Sequence, residues 1–341
     1  QASPLLLRDN ALSLQRALAR ANGEVSSGRL ADLGQSLGAS LARDEQARVR
    51  SAALQALNTQ DDVAAARVDT LSTTLAHLRK GAGALRDQLV AAAQSPQTRA
   101  GLIEAAKGFL ASYTAAMGQD VGGVALFGGQ TLDAPAVAPY DATRASGPAA
   151  AISAAFQSAF GMTQDAPGVA SISAAAMGTF LDGAFAQQFQ QPAWSANWSR
   201  ATDAAFRSQI APGETTSTTV SANEGALRDM AQLAVMVADL GVDKLNDNAF
   251  AALASRASTL ATGAIDASTV IETRMGVSKQ RIADAQTAMS ATRDLLTRQI
   301  GASEDVDPLE AATKVNDLTT RLEATYAITA RMRDLSLLKY L

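Results

Sequence analysis

Cysteine is absent from this 341-residue chain, and histidine occurs once, as His77. Those absences exclude disulfide frameworks, Cys/His zinc sites, cysteine nucleophiles and any Ser-His-Asp triad not built on His77. Aromatic residues make up only 4% against 47% hydrophobic residues overall, fewer rings than most enzymes of 35.1 kDa use for a core and a pocket. A basic excess is missing too. The net charge of −4 and pI near 5.2 argue against nucleic-acid binding, which needs clustered Lys and Arg. No run approaches the roughly 18 apolar residues of a membrane-spanning helix. The start, Gln1 to Leu7, has only Leu5–Leu7 as an apolar run and no small-residue cleavage site, so no Sec-type signal peptide is expected.

What is present is unevenly placed. No aromatic residue precedes Phe109, and ten fall between Phe127 and Phe206. Most prolines lie between Pro96 and Pro212. Alanine- and leucine-rich flanks therefore enclose a middle with a different kind of core. From Leu54, residues at alternating spacings of three and four read Leu54, Leu57, Asp61, Ala64, Val68, Leu71, Leu75, Leu78, Ala82, Leu85, Leu89 and Ala92. That is a coiled-coil stripe interrupted by one polar residue, Asp61. A shorter stripe precedes it: Leu7, Ala11, Leu14, Leu18, Ala21 and Val25. Ser26–Gly28 and Gly34–Gly38 mark a connecting loop between the two.

The C-terminal flank follows the same pattern, with Ile271, Met275, Ser278, Ile282, Ala285, Met289, Thr292 and Leu296. Beyond Gly301, Asp307 is placed as an N-cap, Pro308 as the first helical residue and Glu310 to close a capping box. The carboxylates there are read as capping groups and not as a metal site. A last helix carries Val315, Leu318, Leu322, Thr325 and Met332 on one side. A helix over Leu54–Ala92 would be about 58 Å long, longer than the roughly 50 Å width of a compact globule of this chain length.

The expected fold is therefore mainly α: an elongated rod of long antiparallel coiled-coil helices from both chain ends, with a small α+β insert domain. Its parts are an N-terminal assembly helix and loop (1–40), an N-terminal helical rod (41–121), the compact α+β insert (122–221), a C-terminal helical rod (222–301) and a C-terminal assembly helix (302–341). A helix opens at Ser95-Pro96 and runs towards Met117. Ser221–Glu224 reads as a capping box for a helix over Gly225–Leu240, stopped by Gly241. Inside the insert, helices are expected around Ala149–Phe160 and Ser171–Phe189. A hairpin of Phe206–Ile210 and Thr215–Val220 should turn at Pro212-Gly213.

No residue set demands chemistry. His77 sits one step off the stripe, a flank position. Gly81-Ala82-Gly83 lies inside the heptad run without a preceding strand, so it reads as a loosened helix and not as a dinucleotide loop. Gly122-Gly123 and Gly128-Gly129 read as turns around Phe127. Trp194 and Trp198, spaced to stack a sugar or base, read more simply as insert core. Asn197-Trp198-Ser199 is a weak glycosylation sequon. The chain is expected to be no enzyme and to need no cofactor. Its apolar ends, Leu5–Leu7 and Leu335–Leu341, would be sticky in water, which favours an assembly protein.

The ends also resemble a known family. Leu322, Glu323, Tyr326, Thr329 and Ala330, followed by Leu335, Ser336, Leu337, Leu338, Tyr340 and Leu341, resemble the C-terminal signature of the bacterial flagellin superfamily. Glu24–Arg29 is similar to that family's N-terminal element, with Val25 in place of Leu. Ala125–Thr131, followed by Asp133-Ala134-Pro135, looks like the start of the insert in its hook-associated junction members, of alphaproteobacterial type. Leu33–Gly38 departs from the family's usual loop. The resemblance implies a structural flagellar subunit of the hook–filament junction; the alternatives are a filament flagellin or a non-flagellar extracellular coiled-coil protein. Implied partners are copies of the chain in a ring, the other hook-associated junction protein, flagellin and an export chaperone, with no nucleic acid and no membrane. Implied localisation is extracellular, after export by the flagellar type III apparatus. The assembly faces are assigned to Leu7, Ala11, Leu14, Leu18, Ala21 and Val25, and to Val315, Leu318, Leu322, Tyr326, Met332, Leu335, Leu338 and Leu341. Both stripes are expected to order on assembly.

Overall fold

Helix α1 (Pro4–Ser27) stops where Gly28 takes φ +70°, a left-handed conformation that glycine adopts without strain. The computed structural model describes residues 4–131, 134–141 and 143–337. The segment expected as a loop holds a short helix, α2 (Leu33–Leu37), because the Asp32 carboxylate caps it by accepting the Gln35 N–H at 3.0 Å. Helix α3 begins at Leu41, well before the stripe that signalled it, and runs 54 residues to Gln94. That is about 81 Å of helix. It ends because Ser95 precedes proline and takes an extended conformation. After a 3₁₀ turn, α4 (Arg99–Met117) follows.

The chain then enters two small antiparallel hairpins separated by helices. Strands β1 (Asp120–Val121) and β2 (Val124–Ala125) join through Gly122 and Gly123, both at positive φ, as a tight two-residue turn requires. Helices α5 (Gly147–Phe160), α6 (Ala174–Phe180) and α7 (Ala193–Asn197) come next. The single helix expected over Ser171–Phe189 is broken: a 3₁₀ turn covers Pro167–Ser171, and α6 continues into a π turn at Leu181–Phe185. Strands β3 (Arg207–Ala211) and β4 (Glu214–Ser217) pair around Gly213, with a bulge at Gln209/Ala211. Helix α8 (Gly225–Ala238) starts after Glu224 with no side-chain cap, so the expected box does not form. The Ser221 hydroxyl instead accepts the Asn223 N–H at 3.1 Å. Helices α9 (Asp247–Glu304, 58 residues) and α10 (Pro308–Leu337) complete the chain. The protein is mainly α, with long helices from both ends and a small sheet-containing insert.

The chain divides into two units, Leu57–Ala288 and the combination of Gln1–Ala56 with Met289–Leu341. In the Leu57–Ala288 unit the α3 stripe from Asp61 to Ala92 is buried at every position. Helix α4 supplies Leu102, Ala106, Phe109 and Tyr113, and α9 supplies Phe250, Leu253, Ala257, Ala261 and Ile271. Helix α8 is apolar almost all round and buried on nearly every side, as a central helix must be. Helices α3 and α9 run antiparallel here: Arg79 pairs with Glu272 at 2.8 Å, Lys279 with Asp69 at 2.6 Å, and Gln286 donates to Asp62 at 2.8 Å. His77 is exposed on the α3 flank.

The aromatic residues form a second part of the same core. Phe156, Phe160, Phe180, Phe185 and Phe189 follow one another at centroid spacings of 4.7 to 5.8 Å and reach Trp194 and Trp198, which stack at 5.4 Å. Both tryptophans are buried, so they are core and not a ligand platform. Asn223 holds this end: its Oδ1 accepts from Trp194 Nε1 at 2.9 Å and from the Ser199 hydroxyl at 2.5 Å. Its Nδ2 donates to Ala201 O and Asp203 Oδ1. Arg67 fixes both hairpins to α3, donating to Val121 O, Ser208 and Thr218 and lying over the Phe206 ring.

Candidate assembly surface

Helices α1 and α10 lie against each other in antiparallel fashion. Gln15 donates to the Tyr326 hydroxyl, and Lys314 Nζ stands 3.1 Å from Glu24 Oε2. Arg29 and Asp305 form a β-bridge, with Leu30 N–H to Glu304 O at 2.8 Å and Val306 N–H to Gly28 O at 3.0 Å. The backbone joins the ends of the two helices directly.

The pairing uses most of the residues assigned from the sequence. Ala21 is fully buried; Ala11, Leu14 and Leu18 on α1 are half-buried, as are Val315, Leu318, Leu322 and Met332 on α10. Val25 and Tyr326 are exposed, at 45% and 47%. The 3.6-residue period explains Val25: after Ala21 the inward position falls three residues on, at Glu24, which is buried instead. Leu338 and Leu341 lie outside the described residues, as do the side chains of Leu7 and Leu335. Asp307 caps α10, its Oδ1 accepting the N–H groups of Leu309 at 2.8 Å and Glu310 at 3.3 Å. Glu310 does not close the box. Its carboxylate has no hydrogen-bond partner among the described residues, and in water it still favours the positive end of the helix.

Sequence reasoning missed a cluster of charges at this joint. Glu304 is 1% exposed and accepts from Arg48 Nη2, with Arg29 at 3.9 Å. Arg48 also pairs with Asp44, itself buried, at 3.3 Å. Glu24 Oε1 accepts the Ala31 N–H at 3.4 Å while its Oε2 faces Lys314. Buried charges persist when paired and hydrogen-bonded. The readable signal was Glu24 at the next inward position after Ala21. Arg48 and Glu304 are 256 residues apart, and nothing local links them.

Outside the pair α1/α10, large apolar side chains remain in water: Leu6, Leu12, Leu309 and Ile328, the last at 51%. They share the two helices with the inward residues but point away from the pairing. A cavity of about 510 Å³ lined by Leu110, Thr114, Pro139, Tyr140 and Asp239 lies in the other unit. Its polar groups are engaged: Tyr140 donates to Asp239 at 2.6 Å, and Arg144 bonds both Asp239 and Asp165. The hydrogen bond from Arg144 holds the Asp165 carboxyl below the usual range. Among the described residues these contacts form a staple across loops.

Two chain ends that pair as amphipathic helices and leave apolar side chains outward suit a structural assembly subunit. Family models agree: the bacterial flagellin N-terminal helical region matches residues 1–110 and the bacterial flagellin C-terminal helical region matches 258–341. The two stretches together make up more than half of the chain, which belongs to the bacterial flagellin superfamily, a family of self-assembling structural subunits exported to the flagellum. No curated protein matches the chain. Among the described residues no helix is long and apolar enough to cross a membrane.

Proposed function

We propose that the chain is the hook–filament junction subunit of this superfamily, forming a ring with copies of itself. It would contact the other hook-associated junction protein on one side and flagellin on the other. In this reading an export chaperone and the flagellar type III apparatus deliver it outside the cell. The supporting observation is the Leu126-Phe127-Gly128-Gly129 element, whose sequence resembles the junction members. Phe127 is fully buried, and the segment is stitched to the far end of the insert by Val220 N–H to Leu126 O and Ala222 N–H to Phe127 O. A Cβ at Gly128 would stand 2.2 Å from Thr131 O, and one at Gly129 2.3 Å from Thr202 O. The element requires both glycines.

A filament flagellin is the second reading, supported by the description of both matched regions as flagellin. A deletion strain separates the two. Loss of a junction subunit leaves hooks without filaments and flagellin shed into the medium. Shortened or weakened filaments still attached to hooks would overturn the junction reading.

A further inference from the structure

Asp61 is the one polar residue in the α3 stripe from Leu54 to Ala92, and it is completely buried. Neither carboxylate oxygen has a hydrogen-bond partner among the described residues. Every other buried member of the stripe is apolar, so this position costs stability that packing elsewhere supplies. The pairings of Asp62 with Gln286, Asp69 with Lys279 and Arg79 with Glu272 set the register of α3 against α9. That register puts Asp61 beside the Ala285–Gln286 turn.

The surrounding charges do not neutralise it. On α3, Asp62 adds a like charge, and Arg67 is committed to Val121 O, Ser208 and Thr218. On α9, Arg281 is held by Glu214, and Asp284 accepts from Gln280. From the β1–β2 hairpin, whose Gly122 approaches Val63, the nearest titratable group is Asp120, another acid. Burial, and then Asp62, push the Asp61 carboxyl up to about 6.

We propose that Asp61 is a proton-operated release point in the α3–α9 seam, closed with the carboxyl neutral and locally opened to water when it ionises. A polar group at a seam position commonly fixes register at a cost in stability. Here the unpartnered acid makes that cost depend on pH. No covalent step is involved, and the hairpins fastened by Arg67 stay in place.

Hydrogen exchange of the full chain by mass spectrometry at pH 5 and pH 8, corrected for intrinsic rates, tests this. Protection in peptides spanning 57–65 and 282–288 is expected to fall by about 10-fold from pH 5 to pH 8, the part of a shift from 3.8 to about 6 that lies above pH 5. Peptides over Leu71–Leu85 are expected to stay unchanged. Asp61→Asn should abolish the difference without unfolding the chain, Asp61→Leu should hold the seam closed at both pH values, and Asp62→Asn should retain a reduced difference. Equal protection of wild type at both pH values, or the same fall in Asp61→Asn, overturns the proposal.

Discussion

The ring of Phe109 fills the space that a Cβ at Gly81 would need, its Cδ2 only 2.7 Å from that position. Glycine costs about 1 kcal/mol against alanine inside a helix, yet here it lets α4 approach α3 closely. Gly81→Ala should therefore destabilise by roughly 1–3 kcal/mol through overpacking, despite its better helix propensity. Adding Phe109→Leu should recover part of that loss. Urea unfolding midpoints of the three variants decide it; a Gly81→Ala protein more stable than wild type would refute the packing account.

Asn223 carries four hydrogen bonds at the end of the aromatic core. Asn223→Ala leaves the Trp194 N–H buried without an acceptor and should cost about 2–4 kcal/mol. Asn223→Asp keeps the acceptor but loses the amide donors, and brings a second carboxylate to Asp203. It should also destabilise, because the new carboxylate faces that of Asp203. Trp fluorescence during denaturant unfolding reads both; equal midpoints for Asn223→Ala and wild type would remove Asn223 from this role.

The global stability of the chain should carry the sign of Asp61. An acid whose folded-state pKa is raised favours the folded state when protonated. Its contribution is intact below the unfolded value of 3.8 and is lost as pH rises to about 6. Above that, wild type should be less stable than Asp61→Asn by at most about 3 kcal/mol. The gap should be mostly closed at pH 4 and vanish below the unfolded value of 3.8. Unfolding free energies measured at pH 4, 5, 6 and 8 give the curve, and a gap independent of pH would contradict it.

How far the sequence carried the fold follows from the range of the interactions. The α3 stripe was legible because its period repeats locally, and burial follows it residue by residue from Asp61 to Ala92. The Asp307 cap and the hairpin turn at Gly213 were legible for the same reason. Gly81 was misread as loosening the helix, because its purpose lies on α4, 28 residues away at Phe109. The stripe begins only at Leu54, so it does not by itself mark the start of α3 at Leu41. On α1 and α10 the residues that face the pairing could be found by period. The Arg48–Glu304 pair could not, because only folding brings those two residues together.

Removing the buried acid of that pair tests what holds the joint. Glu304→Gln keeps the shape and a hydrogen-bond acceptor for Arg48 but loses the charge; Glu304→Ala loses both. Glu304→Ala should cost about 1–3 kcal/mol, with Glu304→Gln in between, and the loss should appear as faster proteolysis within α1 and α10. Unchanged cleavage of both helices in Glu304→Ala would show that the apolar face alone holds the pair.

The outward apolar residues give the sharpest test of assembly. Ile328 is half exposed on α10, whereas Leu322 faces α1. An aspartate at 328 meets water in the single chain and should change stability by no more than about 0.5 kcal/mol. In an assembled subunit the same charge would be buried against a neighbour, where an unpaired carboxylate is strongly disfavoured. Ile328→Asp should therefore keep its helix content by circular dichroism and fail to sediment as polymer under conditions where wild type assembles. Leu322→Asp should lose the α1–α10 pairing and assembly together, because its charge falls inside the chain's own contact. If Ile328→Asp polymerises as wild type does, neighbouring subunits do not use that face of α10.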